Sequence, residues 1–152
     1  MGNSKECVFA GLVGDMPIGS LTEVPLSGDA NMPVNALVAN VHGTYYATTS
    51  KCTHYGLSLT KGILTDEGRL YCPFHGACYK VMTGDIEDAP ALEPLKTFEV
   101  KVEDDKVYIL VDYEALNQSN WKPCKYSSSQ SRSGPHTVFV GCGAVTVSYT
   151  HL

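Results

Sequence analysis

Two short segments constrain this chain more than anything else in it. Cys52-Thr53-His54 is followed, after seventeen intervening residues, by Cys72-Pro73-Phe74-His75. Each segment offers one thiolate and one imidazole from a tight turn. Soft thiolates select iron–sulfur clusters, zinc or copper(I), and imidazole suits iron or zinc. Two turns that each mix Cys with His fit a dinuclear cluster in which one iron takes both Cys and the other both His. Tetrahedral zinc is the rival at the same four residues, although zinc motifs pair Cys with Cys and His with His. Copper(I), or an unliganded set, remains a minor alternative. Gly56 and Gly76 follow the two pairs. Close approach of backbone to a cluster needs residues without a Cβ, and N–H groups in such loops can aim at the sulfurs.

The flanking pattern is that of short strands. Leu21 to Leu26 reads as a strand, with Pro25 pointing to a sheet edge. Ala36–Val41 and Thr44–Thr49 form a hairpin about His42-Gly43, and Thr97–Glu103 and Lys106–Val111 form another about Asp104-Asp105. In the second hairpin Phe98, Val100 and Val102 share a face. Between the hairpins, Lys51 to Thr83 is loop-rich, with short strand-like pieces at 62–64 and 69–71. The prolines at 90 and 94 make 88–95 an extended loop. One helical turn is expected at Tyr113–Leu116. The fold class is therefore all-β, an antiparallel barrel or sandwich of short strands carrying a loop-rich insert.

The 152 residues suffice for one domain with a tail. A net charge of −5 argues against nucleic acid or an anionic membrane surface as the main partner. No apolar run approaches the roughly 20 residues that span a bilayer. The opening MGNSKECVFAGLVG lacks the features of a secretory leader, being broken by Gly11 and Gly14 with Lys5 beside Glu6. It is no Arg-rich transit peptide either, and Glu6 stands where N-myristoylation wants Ser or Thr. The expected compartment is the cytoplasm, with the mitochondrion as the alternative. Two of the six Cys sit beside His at ligand spacing, which favours metal over disulfides. Cys7, Cys78, Cys124 and Cys142 read as free thiols.

Residues 113–136 form a Ser-rich linker ending in Gly134-Pro135. After it, HTVFVGCGAV is a short apolar strand running into Gly141-Cys142-Gly143. It looks like the opening of a dinucleotide-binding βαβ unit, but Thr146 stands where a third Gly belongs. Residues 137–152 are expected to be a truncated beginning of an FAD/NAD-binding domain; the plainer alternative is a terminal strand that joins the main sheet.

Cys-Thr-His-Tyr-Gly at 52–56 and Cys-Pro-Phe-His-Gly-Ala-Cys-Tyr at 72–79 resemble the two halves of the Rieske signature. Thr83-Gly84-Asp85 and the loop at 88–95 strengthen the likeness, which covers roughly Val13 to Val111. The resemblance implies that Cys52, His54, Cys72 and His75 bind a [2Fe–2S] cluster. It implies a three-stranded cluster-binding subdomain set into an antiparallel barrel, with both His ligands near the surface. The extra Cys pair of respiratory-chain members is replaced by Leu57 and Phe74. A Ser hydroxyl that donates to a bridging sulfide in the family is replaced by Ala77, while a Tyr hydroxyl that donates to a ligand sulfur is matched by Tyr79. Fewer donors imply a potential in the lower part of the Rieske range of roughly −150 to +300 mV. Within the family, the stretches 52–62, 72–79 and 83–88 are most similar to the N-terminal Rieske domain of apoptosis-inducing-factor-like proteins. These continue through a linker into a flavin- and pyridine-nucleotide-dependent reductase.

The domain expectation is thus a Rieske domain over 7–112, a linker over 113–136 and an incipient FAD domain over 137–152. The function implied is one-electron transfer for a flavin-dependent oxidoreductase, with a flavoprotein reductase domain or another redox protein as partner. FAD would belong only to a downstream domain. A free-standing ferredoxin serving an oxygenase is the first alternative and a structural zinc module the remote one. Reduction makes the cluster more negative and favours a proton on each free imidazole nitrogen, so the potential is expected to fall as pH rises. The chain shows no substrate pocket of its own. His42, His136 and His151 read as solvated, Cys78 as packing behind the cluster loop, and Tyr45 and Tyr46 as barrel packing.

Overall fold

In the computed structural model the described residues are 5–26 and 34–116, together with the backbone of two strands at 137–140 and 147–150. The chain divides into two units, Met1–Lys122 and Pro123–Leu152. The strands are β1 (Glu6–Leu12), β2 (Leu21–Pro25), β3 (Asn35–Val41), β4 (Thr44–Thr49), β5 (Ile63–Leu64), β6 (Arg69–Tyr71), β7 (Cys78–Lys80), β8 (Ile86–Asp88), β9 (Thr97–Glu103), β10 (Lys106–Val111), β11 (Thr137–Val140) and β12 (Val147–Thr150). A 3-10 turn at Val13–Asp15 and a single helical turn, α1 (Tyr113–Leu116), complete the described elements.

The first unit contains a six-stranded antiparallel sheet in the order β1-β10-β9-β4-β3-β2 and a four-stranded sheet in the order β5-β6-β7-β8. β3 explains how the two share one body. Its sequence, NALVANV, is apolar without alternation, and Ala36 through Val41 are all buried. Side chains of a strand point alternately to opposite faces. Ala36 and Val38 therefore enter one core with Met16, Val24, Val107, Ile109 and Val111. Leu37, Ala39 and Val41 enter the other, with Leu59, Leu70, Tyr79, Val81 and Leu95 of the cluster-loop region. β3 is the wall between the barrel core and the core beneath the Cys/His loops.

The expected all-β architecture is present. Both hairpins form, and their turn residues take positive φ: 53° and 87° at His42 and Gly43, 48° and 58° at Asp104 and Asp105. Such primed turns match the right-handed twist of the strands they join. β2 with Pro25 is an edge, as expected. Val102 departs from its face-mates: Phe98 and Val100 pack against the barrel core, while Val102 is exposed. β9 pairs with β4 only at Thr97 and Phe98, so beyond them no strand covers that edge of β9. The insert has four strands rather than the three that the resemblance implies. The fourth, β8, is exposed along its length and pairs with β7 through a register shift between Cys78 and Tyr79. Glu6–Leu12, weighed above only as a leader, is an edge strand with a shift between Phe9 and Gly11 where it pairs with β10.

In the second unit β11 and β12 pair antiparallel with one another, Thr137 opposite Thr150 and Val140 opposite Val147. The Ser-rich segment and Cys124, His136, Cys142 and His151 lie outside the described residues.

Candidate metal centre

The two expected ligand segments fold into the same loop twice. The Cys52 N–H donates to the Leu57 carbonyl at 2.8 Å, and the Cys72 N–H donates to the Ala77 carbonyl at 2.8 Å. The Gly56 N–H returns to the Cys52 carbonyl at 2.8 Å, and the Gly76 N–H to the Cys72 carbonyl at 3.1 Å. Closing each loop this way requires φ near +70° at its fifth residue, and Gly56 (70°) and Gly76 (75°) supply it. In equivalent positions the loops read Cys52-Thr53-His54-Tyr55-Gly56-Leu57 and Cys72-Pro73-Phe74-His75-Gly76-Ala77. The imidazole therefore sits third in one loop and fourth in the other.

Packing sorts the four side chains. Cys52 and Cys72 are buried at 2% and 3% exposure in one core cluster, both as free thiols. His54 is half-buried and His75 exposed, and their ring centroids are 4.8 Å apart at an interplanar angle of 86°. Nδ1 of His54 is buried without a hydrogen-bond partner. An orphaned buried nitrogen costs free energy unless something ligates it. Two buried thiols, an orphaned imidazole nitrogen and an exposed second imidazole fit a cluster with its thiolate end inward and its imidazole end outward. Among the described residues no three of His, Cys, Asp and Glu converge on a single metal position.

Proton bookkeeping assigns a donor to one sulfur. Thr53 Oγ1 donates to the Glu93 carbonyl at 2.8 Å and accepts the N–H groups of Leu92 (3.3 Å) and Glu93 (3.2 Å). Its proton and both lone pairs are then committed. The Tyr79 oxygen accepts the Thr53 N–H at 3.0 Å and lies 3.0 Å from Thr53 Oγ1, whose own proton and lone pairs are committed to the 92–93 backbone, and 3.2 Å from Cys52 Sγ. The Tyr79 proton is left to point at that sulfur. Burial first, and the Cys52 contact second, push Tyr79 up to about 12, so it stays a donor at physiological pH. Tyr79 thus stands where the resemblance places it. Thr53 was not singled out from sequence; it ties the first loop to the 88–95 loop, whose Ala89–Pro90 bond is cis. Only its place between Cys52 and His54 could have marked it.

Other expectations resolve simply. Cys78 is fully buried on the face of β7 opposite Tyr79, and burial raises its thiol above the usual value. His42 is exposed, and Tyr45 and Tyr46 pack against the two cores. Leu57 and Phe74 are exposed, and Ala77 is fully buried beneath its loop.

A small all-β domain that presents paired Cys/His loops at one end defines a class, the cluster-binding electron-transfer domains. Residues 6–99 match the family model described as the Rieske [2Fe-2S] domain. The chain belongs to that family, and its cofactor is a [2Fe–2S] cluster. It is 38% identical over 146 residues to apoptosis-inducing factor 3 of Homo sapiens, covering 92% of this chain but 23% of that protein. It is 35% identical over 102 residues to the 3-phenylpropionate/cinnamic acid dioxygenase ferredoxin subunit of Escherichia coli K12, covering 67% of this chain and 91% of the subunit. Among solved structures, a ferredoxin-length chain in the complex of reduced oxygenase and oxidized ferredoxin of carbazole 1,9a-dioxygenase matches at TM-score 0.62 and 32% identity, covering 72% of this chain and 94% of that one. The Sphingomonas yanoikuyae B1 ferredoxin matches at TM-score 0.59 and 30% identity, covering 70% of this chain and 99% of that one. No helix among the described residues is long and apolar enough to cross a membrane.

Proposed function

We propose that Cys52 and Cys72 hold one iron of the cluster and His54 and His75 the other, and that the chain is the electron-transfer domain of a flavin-dependent oxidoreductase. When bound, the cluster takes up and releases one electron at a time. The protein's own part is to shield the thiolates, to aim the Tyr79 hydroxyl at Cys52, and to keep His75 at the surface where a redox protein can approach. The observation that carries the ligand set is the pair of matching loops, with buried free thiols at their first positions and an orphaned Nδ1 on His54.

For the flavin context the support is the reach of the likeness. The match to apoptosis-inducing factor 3 spans 92% of the chain, well beyond the 67% shared with the ferredoxin subunit. On this basis 7–112 is the cluster domain, 113–136 a linker and 137–152 the beginning of an FAD/NAD-binding domain. The antiparallel pairing of β11 with β12 differs from the parallel pairing of a βαβ unit, so no flavin-contacting residue is assigned. A soluble ferredoxin serving an oxygenase is the second reading, favoured by the structural likeness to a ferredoxin seen with its oxygenase. Four cysteines without a disulfide among the described residues suit a reducing compartment, with the cytoplasm first and the mitochondrion second.

The test is anaerobic purification with iron, sulfide and zinc assayed on the sample that gives the visible spectrum. Two irons and two sulfides per chain, with a red-brown colour bleached by reductant, are expected, and Cys72→Ala and His75→Ala should each abolish them. One zinc and no sulfide would overturn the cluster and leave the same four residues as a zinc site. Delivery of electrons from the reduced chain to a terminal oxygenase, against exchange only with a flavin- and pyridine-nucleotide-dependent reductase, separates the two contexts.

A further inference from the structure

A metal-bound imidazole is normally held in plane by a carboxylate, carbonyl or water that accepts its second N–H. No protein group among the described residues accepts a hydrogen bond from His54 or His75, so no carboxylate or carbonyl there sets the plane of either ring. Each ring anchored through one nitrogen would remain free to turn about that bond. What stands in the way is Tyr55. Its ring stacks on His54, with centroids 3.9 Å apart and planes 27° from parallel, and meets His75 edge-on at 5.5 Å and 78°. The loop equivalence explains how one residue reaches both. Tyr55 occupies in the first loop the position that His75 occupies in the second, so the two rings come from matched positions and His54 lies between. Core packing does not account for Tyr55, because 72% of it is exposed.

We propose that Tyr55 is a positioning residue whose ring fixes the planes of both ligand imidazoles and shields that end of the cluster from water. The proposal rests on the ligand assignment above. The ring does this and the hydroxyl does not, since no hydrogen bond of the Tyr55 hydroxyl contributes. Opening the site to water favours the more highly charged form, which is the reduced one, so loss of the ring should raise the potential.

The experiment uses the full chain carrying its cluster, as wild type and as Tyr55→Phe, Tyr55→Leu and Tyr55→Ala. The readouts are the g values and linewidths of the reduced cluster in electron paramagnetic resonance and the midpoint potential. The Phe variant should match wild type. The Leu and Ala variants should show shifted g values and broader lines. The Ala variant, which opens the site to water, should also show about a threefold higher reduced-to-oxidised ratio at a set ambient potential, ~28 mV at 59 mV per decade. Where the Ala variant loads poorly, Leu against Phe carries the comparison, because Leu keeps apolar bulk without a planar face. Leu and Phe variants both indistinguishable from wild type would overturn the proposal, as would a Phe variant as altered as Leu. A wild-type chain with no [2Fe–2S] signal would instead sink the ligand assignment, and with it any role for Tyr55 in orienting it.

Discussion

Replacing Tyr79 by Phe removes one hydroxyl and little else, and its consequences follow from the atoms around it. The oxygen accepts the Thr53 N–H, and with Thr53 Oγ1 committed to the 92–93 backbone the proton is assigned to Cys52 Sγ, 3.2 Å away. Hydrogen bonds to charged groups contribute roughly 1.5–3 kcal/mol. The sulfur carries negative charge in both redox states, so only the increment gained on reduction moves the potential. Taking that increment as about 1 kcal/mol, a third to two-thirds of the whole, the one-electron potential should drop by ~40 mV, since about 1.4 kcal/mol corresponds to 59 mV. A second effect is separable from the first. The Thr53 N–H loses its acceptor in a half-buried setting, which costs about 1 kcal/mol of stability. Protein-film voltammetry gives the potential and urea unfolding of the cluster-loaded chain gives the stability. A drop of tens of millivolts with an unchanged iron-to-sulfide ratio is expected. A potential within a few millivolts of wild type, with the stability loss present, would mean that the proton does not point at the sulfur and that the bookkeeping at Thr53 is wrong.

Three further outcomes are expected. Gly84→Ala should destabilise the chain by about 3 kcal/mol in urea unfolding: φ is +76° and a Cβ would run into the Leu95 carbonyl. A cost below about 1 kcal/mol would show that the 84–95 contact gives way easily. Thr53→Val removes the donor to Glu93 and the acceptor for two N–H groups, so the 88–95 loop should be cut faster by protease while β3 and its hairpin stay protected; equal rates would deny Thr53 its tie. Stability should fall as pH rises from about 9 toward 12. Cys78 and Tyr79 both titrate above their unfolded values, so each contributes fully below its unfolded value and loses that contribution as pH climbs through its folded one. Urea midpoints that hold steady across that window would refute the assignment of both as buried neutral groups.

How much of this could be read from the residues depended on whether each feature is written locally. The two matching loops could, because Cys52, His54, Cys72 and His75, the proposed ligands, and the loop-closing Gly56 and Gly76 stand at local, readable spacings. The hairpins at His42-Gly43 and Asp104-Asp105 could, because alternation and turn chemistry are local too. β1 could not: Glu6–Leu12 contains Gly11 and owes its extended form to pairing with β10, about a hundred residues away. β8 is polar and wholly exposed, so nothing in Ile86-Glu87-Asp88 announces a strand. The linkage of Thr53 to Leu92 and Glu93 is a contact across about forty residues that no periodicity encodes.

The arrangement of cores suggests why the centre is built on loops and yet held rigidly. Each loop is closed by its own hydrogen bonds and leans on the core that β3 shares with Leu59, Leu70, Tyr79 and Leu95. Reduction adds charge at the loop tips, and water there would have to reorganise around it. On the proposed ligand set, a buried thiolate end would limit that response, while the exposed His75 would leave the other end within reach of a redox partner. Truncating Leu70, which is fully buried in that core, should therefore act at a distance. Leu70→Ala should cost about 2–5 kcal/mol of stability. It should also broaden the electron paramagnetic resonance signal of the reduced cluster, although the residue belongs to neither loop. If the stability falls and the signal stays sharp, the loops hold their geometry by their own hydrogen bonds and the shared core contributes only to folding.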